Sequence, residues 1–260
     1  MKLNLIDRLH MLHRLWTFRY KSEVPSIRYL LDSDLDGKTV VDIGANRGVF
    51  CYYLSRKTGP AGQVFAFEAQ PELGPHLEAV KTTFHLDNLE IINKGLSSAP
   101  GILQMRRSKV GSGGASFHHG ADTGLEELDI PVTTLDDYFS SHAHSPISLM
   151  KCDVEGHELD VFRGGKHILS QYMPVLLFEV HHQHAQDGEL FSYLAGLGYD
   201  GYFFHVTPGD HRSLLHKGRG KYIHYTDFDN YEYVRPTVQH RNYIFLEKGL
   251  SLIGGAKQSK

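Results

Sequence analysis

From Lys38 onward, apolar runs of strand length alternate with helical patterns, and this rhythm restricts the fold more than any other feature of the chain. "KTVVDIG" reads as a buried strand, and "VFCYYLSRKTG" as a helix closed by Gly59 and Pro60. "GQVFAFEA" is a second strand, "PELGPHLEAVKTTFHLDN" a helix opened by Pro71, and "LEIINKGLS" a third strand. A Gly- and Ser-rich stretch, "RRSKVGSGGASFHHGADTG", interrupts the pattern. It resumes at "IPVTTLDDYF", where Thr134 and Asp137 have the spacing of a helix cap. "ISLMKCDVEG" and "MPVLLFEVH" are strands around a helical "ELDVFRGGKHILSQY". A helix "ELFSYLAGLG" and strands "YDGYFFHV" and "RNYIFLEKG" follow. Such alternation predicts right-handed βαβ units and a mostly parallel sheet covered on both faces. The 260 residues divide into N-terminal helices over 1–36, a main domain over 37–250 with insertions at about 106–130 and 207–240, and a tail over 251–260.

In open α/β sheets the ligand lies beyond the carboxyl ends of the strands. Here those ends are Asp42–Gly44, Glu68, Gly95–Ser97, Asp153–Glu155 and Glu179–His181, and all but one carry a carboxylate. In "VVDIGANRGVF", Asn46 stands where a dinucleotide fingerprint has its middle glycine. A carboxylate repels a pyrophosphate and attracts an ammonium or sulfonium group. S-adenosylmethionine carries both cations and no phosphate. Gly44 would let the backbone approach such a cofactor, Glu68 would accept from two ribose hydroxyls, and Leu96 and Ser97 would border the adenine, with Ser97 as donor. The expected cofactor set is Asp42, Gly44, Ala45, Asn46, Gly48, Glu68, Ala69, Leu96, Ser97 and Asp153. The competing structural reading has Asp42 merely capping the next helix.

The segments "VVDIGANRGVF", "VFAFEAQPE", "TTLDDYF", "LMKCDVEGHELDVFRGG" and "LLFEVH", in this order, resemble the FkbM-type methyltransferases, a branch of the class I S-adenosylmethionine-dependent fold. The resemblance runs from about Lys38 to His182, with "DVEGHE" its most specific piece. It implies a Rossmann-like α/β sheet of seven strands, mostly parallel with the last antiparallel. It also implies methyl transfer, usually to a hydroxyl oxygen of a sugar, glycan or natural product. Where such proteins often read "FEPNP", this chain has "FEAQP", departing at Ala69 and Gln70 and keeping Glu68. Beyond about Leu190 the resemblance ends, so the acceptor does not follow from it.

A hydroxyl is a poor nucleophile, and a nearby base adds about 10²–10⁴-fold. Asp153, Glu155, Glu179 and His181 are the candidates, Asp153 as the central group, Glu155 or Glu179 as proton acceptor and His181 as rival base. A structural reading makes Asp153 and Glu155 caps of a helix near His157. No metal is expected; were Mg²⁺ or Mn²⁺ present, Asp153, Glu179 and His181 would be its ligands. Val161 replaces the second histidine of a zinc H-E-x-x-H motif, and the 18 histidines, His118–His119 and His181–His182 among them, read as scattered surface imidazoles.

Tyr222, Tyr225, Phe228, Tyr231 and Tyr233, in the insertion before the last strand, suit a sugar face or pack the insertion onto the sheet. Lys217, Arg219 and Lys221 raise base stacking, but "DVEG" lacks the prolines and ring of a base-methylase clamp, and a net charge of −3 gives no reason for a nucleic-acid partner. Leu5, Leu9, Leu12 and Trp16 recur at helical spacing and predict a helix packed on the domain, weak membrane-surface contact being the lesser reading. No run suits a transmembrane helix, and the unpaired Cys51 and Cys152 make a reducing cytoplasm the default. The functional expectation is an S-adenosylmethionine-dependent O-methyltransferase acting on a hydroxylated small molecule or glycan. Its rivals are an NAD(P)-dependent oxidoreductase and a non-catalytic cofactor-binding module.

Overall fold

The computed structural model describes residues 2–118, 124–181, 188–205, 221–230 and 240–252. Helices α1 (Leu5–Thr17) and α2 (Val24–Asp32) precede β1 (Thr39–Ile43), α3 (Val49–Thr58), β2 (Gln63–Phe67), α4 (Leu73–Phe84) and β3 (Leu89–Ile92). Three strands follow: β4 (Gly95–Leu96), β5 (Gly101–Arg107) and β6 (Glu126–Thr133). Then come α5 (Leu135–Ser141), β7 (Ile147–Cys152), α6 (Glu158–Arg163), α7 (Lys166–Tyr172) and β8 (Val175–His181). The last elements are α8 (Glu189–Gly196), β9 (Tyr199–His205), β10 (Lys221–His224) and β11 (His240–Glu247).

The main sheet has eight strands in the order β10-β9-β11-β8-β7-β1-β2-β3. The pairs β3–β2, β2–β1, β1–β7 and β7–β8 are parallel, and β11 is antiparallel to both neighbours. The expected seven-stranded pattern is thus present with one strand added. That strand, β10, comes from the aromatic insertion and lengthens the edge by pairing with β9. Strand order reverses between β1 and β7, where a ligand crevice opens in such sheets.

Side chains alternate across each strand. Val41 and Ile43 face a core shared with α5 to α8, and Val40 faces one shared with α1 to α4. Asp42 therefore points to the α3 side. Each fully buried Val or Ile of β1 contributes about 1.5–3 kcal/mol.

Four expectations need correction. The segment "LEIINKGLS" is not one strand: β3 ends at Ile92, and Gly95–Leu96 joins a separate sheet in the order β4-β6-β5. Asn93 makes the break, its side-chain amide donating to the carbonyls of Glu68 and Gln70 at 2.7 and 3.1 Å. The Gly- and Ser-rich interruption lies between two antiparallel strands that were not expected, β5 and β6, in which Arg106 and Arg107 face Glu127 and Glu126. The helix expected over 158–172 is two, broken at Gly164–Gly165, where the Gly165 backbone (φ −114°, ψ 19°) leaves helical geometry. Gly164 itself packs on the Ser97 carbonyl, where a side chain would overlap it. Finally, α1 seats on the domain through Met11 and Leu15, while Leu5, Leu9, Leu12 and Trp16 are exposed. The Thr134 cap is as expected, its hydroxyl accepting from Asp137 N at 2.9 Å. Among the described residues no helix is long and apolar enough to cross a membrane.

Candidate active site

A cleft of about 530 Å³, counting its open mouth, lies over the tips of β1, β2 and β7. Its wall includes Gly44, Asn46, Glu68, Ala69, Asp153 and Glu155. Leu96 lines it too, together with Lys94 and the loop residues Ser112, Gly113, Ala115 and Phe117. The expected cofactor residues Asp42, Ala45, Gly48 and Ser97 are not part of this wall. Gly48 sits beneath it in the left-handed conformation that starts α3.

Glu68 directly follows β2 and is almost fully buried. Its Oε2 accepts from Asn46 N at 2.6 Å and its Oε1 from Gln70 N at 2.8 Å. An ionised carboxylate offers about four acceptor sites, so two remain for a ligand. Burial pushes its pKa up, against the pull of those two amides. Gln70, where the chain departs from the family pattern, ties the loop to the cleft: its Oε1 accepts from Gly111 N at 2.7 Å and its Nε2 donates to Ser112 O at 3.3 Å.

Asp42 is completely buried behind this wall. Its Oδ2 accepts from the Cys51 thiol at 3.1 Å, and its Oδ1 has no hydrogen-bond partner. Burial raises its pKa, which Lys151 partly offsets. Asp42 does not cap α3 with its side chain. Gly44, at φ +77° and lining the cleft, is also required by the fold: a Cβ there would overlap the backbone carbonyl of Asp153.

The acidic turn after β7 sorts its carboxylates by task. Glu158 Oε1 accepts from Val154 N and Gly156 N, both at 3.2 Å, so Glu158 satisfies the turn. Asp153 and Glu155 are thereby left to the cleft, and Glu155 adopts the left-handed backbone at φ +51°. Such strain in a non-glycine residue concentrates at functional sites.

Sequence reasoning missed the cation of this site. Lys151 is buried in β7, its Nζ 2.9 Å from Asp153 Oδ2 and 4.7 Å from the centroid of the Phe50 ring. A lysine inside the apolar run "ISLMKC" was a visible signal, because lysine is almost never fully buried unless paired. Burial alone would lower its pKa, but Asp153, Asp42 and Glu23 outweigh it and hold the ammonium charged. Glu23 was missed for lack of any local signal; it reaches the site from the segment between α1 and α2, its Oε2 accepting from Ser26 Oγ at 3.2 Å and Asn242 Nδ2 at 3.1 Å.

One ammonium does not offset all these acids. Burial, then Asp153, pushes Glu23 up to about 7 and Glu155 up to about 7. Burial, then Asp153 and Glu23, pushes Glu179 up to about 9. Glu179 pairs in register with Asn242 near the end of β8. The His181 backbone ends the same strand, and its side chain lies outside the described residues. The set Asp153, Glu179 and His181 suits a divalent ion poorly, because Asp153 already holds the Lys151 ammonium in the cation's place.

Of the insertion aromatics, Tyr225 packs on Phe191 and Phe245, and Tyr222 on Phe204. Tyr231, Tyr233 and the Phe228 side chain lie outside the described residues, as do Lys217 and Arg219.

This sheet order, with its cleft at the reversal point and an antiparallel β11, is that of the class I methyltransferases. An O-methyltransferase from Bacillus cereus in complex with SAH superposes with a TM-score of 0.51 at 11% identity, over 92% of this chain and 89% of that one. Residues 42–200 match the methyltransferase FkbM domain, and the chain belongs to that family. It is similar to the hexuronic acid methyltransferase AglP of Haloferax volcanii, 28% identical over 169 residues, which cover 64% of this chain and 66% of AglP. A methyltransferase FkbM from Methylobacillus flagellatus KT matches at 17% identity with a TM-score of 0.49, over 82% of this chain and 44% of that one. The chain thus spans just under two thirds of AglP and less than half of the Methylobacillus protein.

Proposed function

We propose that this protein is an S-adenosylmethionine-dependent O-methyltransferase whose acceptor is a hydroxyl of a sugar-type molecule. The observation that carries the reading is one cleft whose wall brings together Glu68, Asp153 and Glu155, with Lys94 the one lysine or arginine among its described lining residues. That balance favours a cationic, phosphate-free nucleoside over a pyrophosphate. The two acceptor sites left on Glu68 fit a ribose diol, and the buried Oδ1 of Asp42 is an unused acceptor just behind the glycine turn. When bound, the cofactor supplies an electrophilic methyl group. Glu155 lines the cleft and takes the acceptor's hydroxyl proton; Asp153, held by Lys151, orients that hydroxyl. Holding two reactants in line is worth roughly 7–11 kcal/mol, and a positioned base adds to that.

Because AglP is named for hexuronic acid methylation, uronic acids and their conjugates are the first acceptors to try. Isothermal titration with S-adenosylmethionine and with NAD tests the cofactor, and binding of NAD alone would refute the reading. Mass spectrometry of a panel of free and lipid-linked sugars with isotope-labelled cofactor tests the acceptor; label appearing on nitrogen or carbon and never on oxygen would reject O-methylation.

A further inference from the structure

In the loop that forms one wall of the cleft, the His118 imidazole meets two other metal-ligand groups. His118 Nε2 lies 2.9 Å from His157 Nδ1 and 3.5 Å from Asp160 Oδ2. His157 Nδ1 lies 3.4 Å from that same oxygen. These atoms make a compact triangle of two nitrogens and one oxygen. Zinc holds such ligands at about 2.0–2.2 Å in a tetrahedron, whose edges are then ~3.3–3.6 Å. Two of the three edges already match. The third is shorter because the imidazoles share a hydrogen bond, and it would open by about 0.5 Å to admit an ion.

The surroundings are those of a built site. His157 is 4% exposed, and its other ring nitrogen, Nε2, lies 2.9 Å from Ser97 Oγ. A metal-bound histidine is usually oriented by such a contact on its far nitrogen. Ser97, outside the cleft wall, thereby gains a role. Phe117 packs on the His157 ring with centroids 5.0 Å apart, and Ser116 Oγ donates to Glu155 O at 2.6 Å. Ser116 and Phe117 are therefore docked on the acidic turn by their own contacts. His118 and Asp160 are partly exposed, which gives an ion access from solvent. Among the described residues no fourth ligand joins the three, so a fourth position is left to water.

We propose that His118, His157 and Asp160 bind one zinc ion, which pins the loop over 108–118 to the first turn of α6. The site is separate from the acids at the cleft. Its role is to hold the wall formed by Ser112, Gly113, Ala115 and Phe117.

The test uses the full chain, stripped with chelator and titrated with Zn²⁺ by calorimetry and with Co²⁺ by visible absorption. One zinc per chain is expected, with micromolar or tighter affinity and a tetrahedral Co²⁺ spectrum. His118→Ala and Asp160→Asn should each weaken binding at least tenfold, and Ser97→Ala by about 10–100-fold. His118 is half-exposed, so its variant should keep the metal-free melting temperature of the wild type. Absence of zinc binding by the wild-type chain would overturn the proposal. So would wild-type affinity and stoichiometry in both His118→Ala and Asp160→Asn, which would assign the zinc to other histidines.

Discussion

Arg107 and Lys151 are both buried cations among acids, yet they sit in opposite electrostatic settings. In the small sheet, the Arg107 side chain is 1% exposed and meets Glu72 through two bonds of 2.7 Å and Glu126 through one of 2.9 Å. Both acids are about half exposed, so water carries part of their charge, and hydrogen bonding to Arg107 pulls Glu72 down to about 2. In the main sheet, Lys151 answers Asp153, Asp42 and Glu23 with Glu155 and Glu179 close by, and burial pushes the last two and Glu23 upward. A balanced, hydrated cluster acts as a clamp. A buried surplus of carboxyls keeps proton acceptors poised, the pattern that clusters at functional sites.

The largest effect should come from removing the scarce cation. Lys151→Met should cost about 3–5 kcal/mol in urea unfolding at pH 7, because it leaves buried carboxylates unpaired. At pH 5 the cost should shrink, since Glu23 and Glu155 are then protonated. Arg107→Met should cost no more than about 2 kcal/mol, its acids being able to hydrate. Equal costs for the two variants would erase the contrast between the clusters.

Turnover separates them next. Glu155→Gln should lower kcat by about 10²–10⁴-fold, and Glu72→Gln should leave it unchanged. Glu155→Gly should lose as much activity while its melting temperature holds or rises, because glycine relieves the left-handed backbone. A Glu155→Gly enzyme with normal kcat would remove the carboxylate from the chemistry. A smaller loss is expected for Glu68→Ala, about 10–100-fold in S-adenosylmethionine affinity by calorimetry, for two lost hydrogen bonds to a charged group. The smallest is a pH effect. The pKa of Glu23 is raised from its unfolded value near 4.5 to about 7, so its stability contribution is full below pH 4.5 and fades as pH rises through 7. Glu23→Gln should therefore raise the melting temperature at pH 8 and leave it unchanged at pH 5.

The half of the sheet around β1 and β2 was legible because glycines and prolines punctuate uninterrupted apolar runs there. The β5–β6 pair was not, since its alternating pattern is carried by charged side chains whose partners lie across the turn. On α1, Met11 and Leu15 share helical spacing with the residues singled out, and only the packed domain decides which stripe it covers. At the site, Glu68, Asp153 and Glu155 were visible at strand tips. Their division of labour with Glu158 was hidden, because any of the acids in "DVEGHE" suits a turn. Glu23 depends on Asn242, 219 positions away, and no local pattern announces such a contact.

Gly44 and Asp153 meet main chain to main chain, with no side chain between them. The spacing between the glycine turn after β1 and the acidic turn after β7 is thus set by direct contact of the two backbones. A side chain at position 44 would wedge the two turns apart and widen the crevice between their acids.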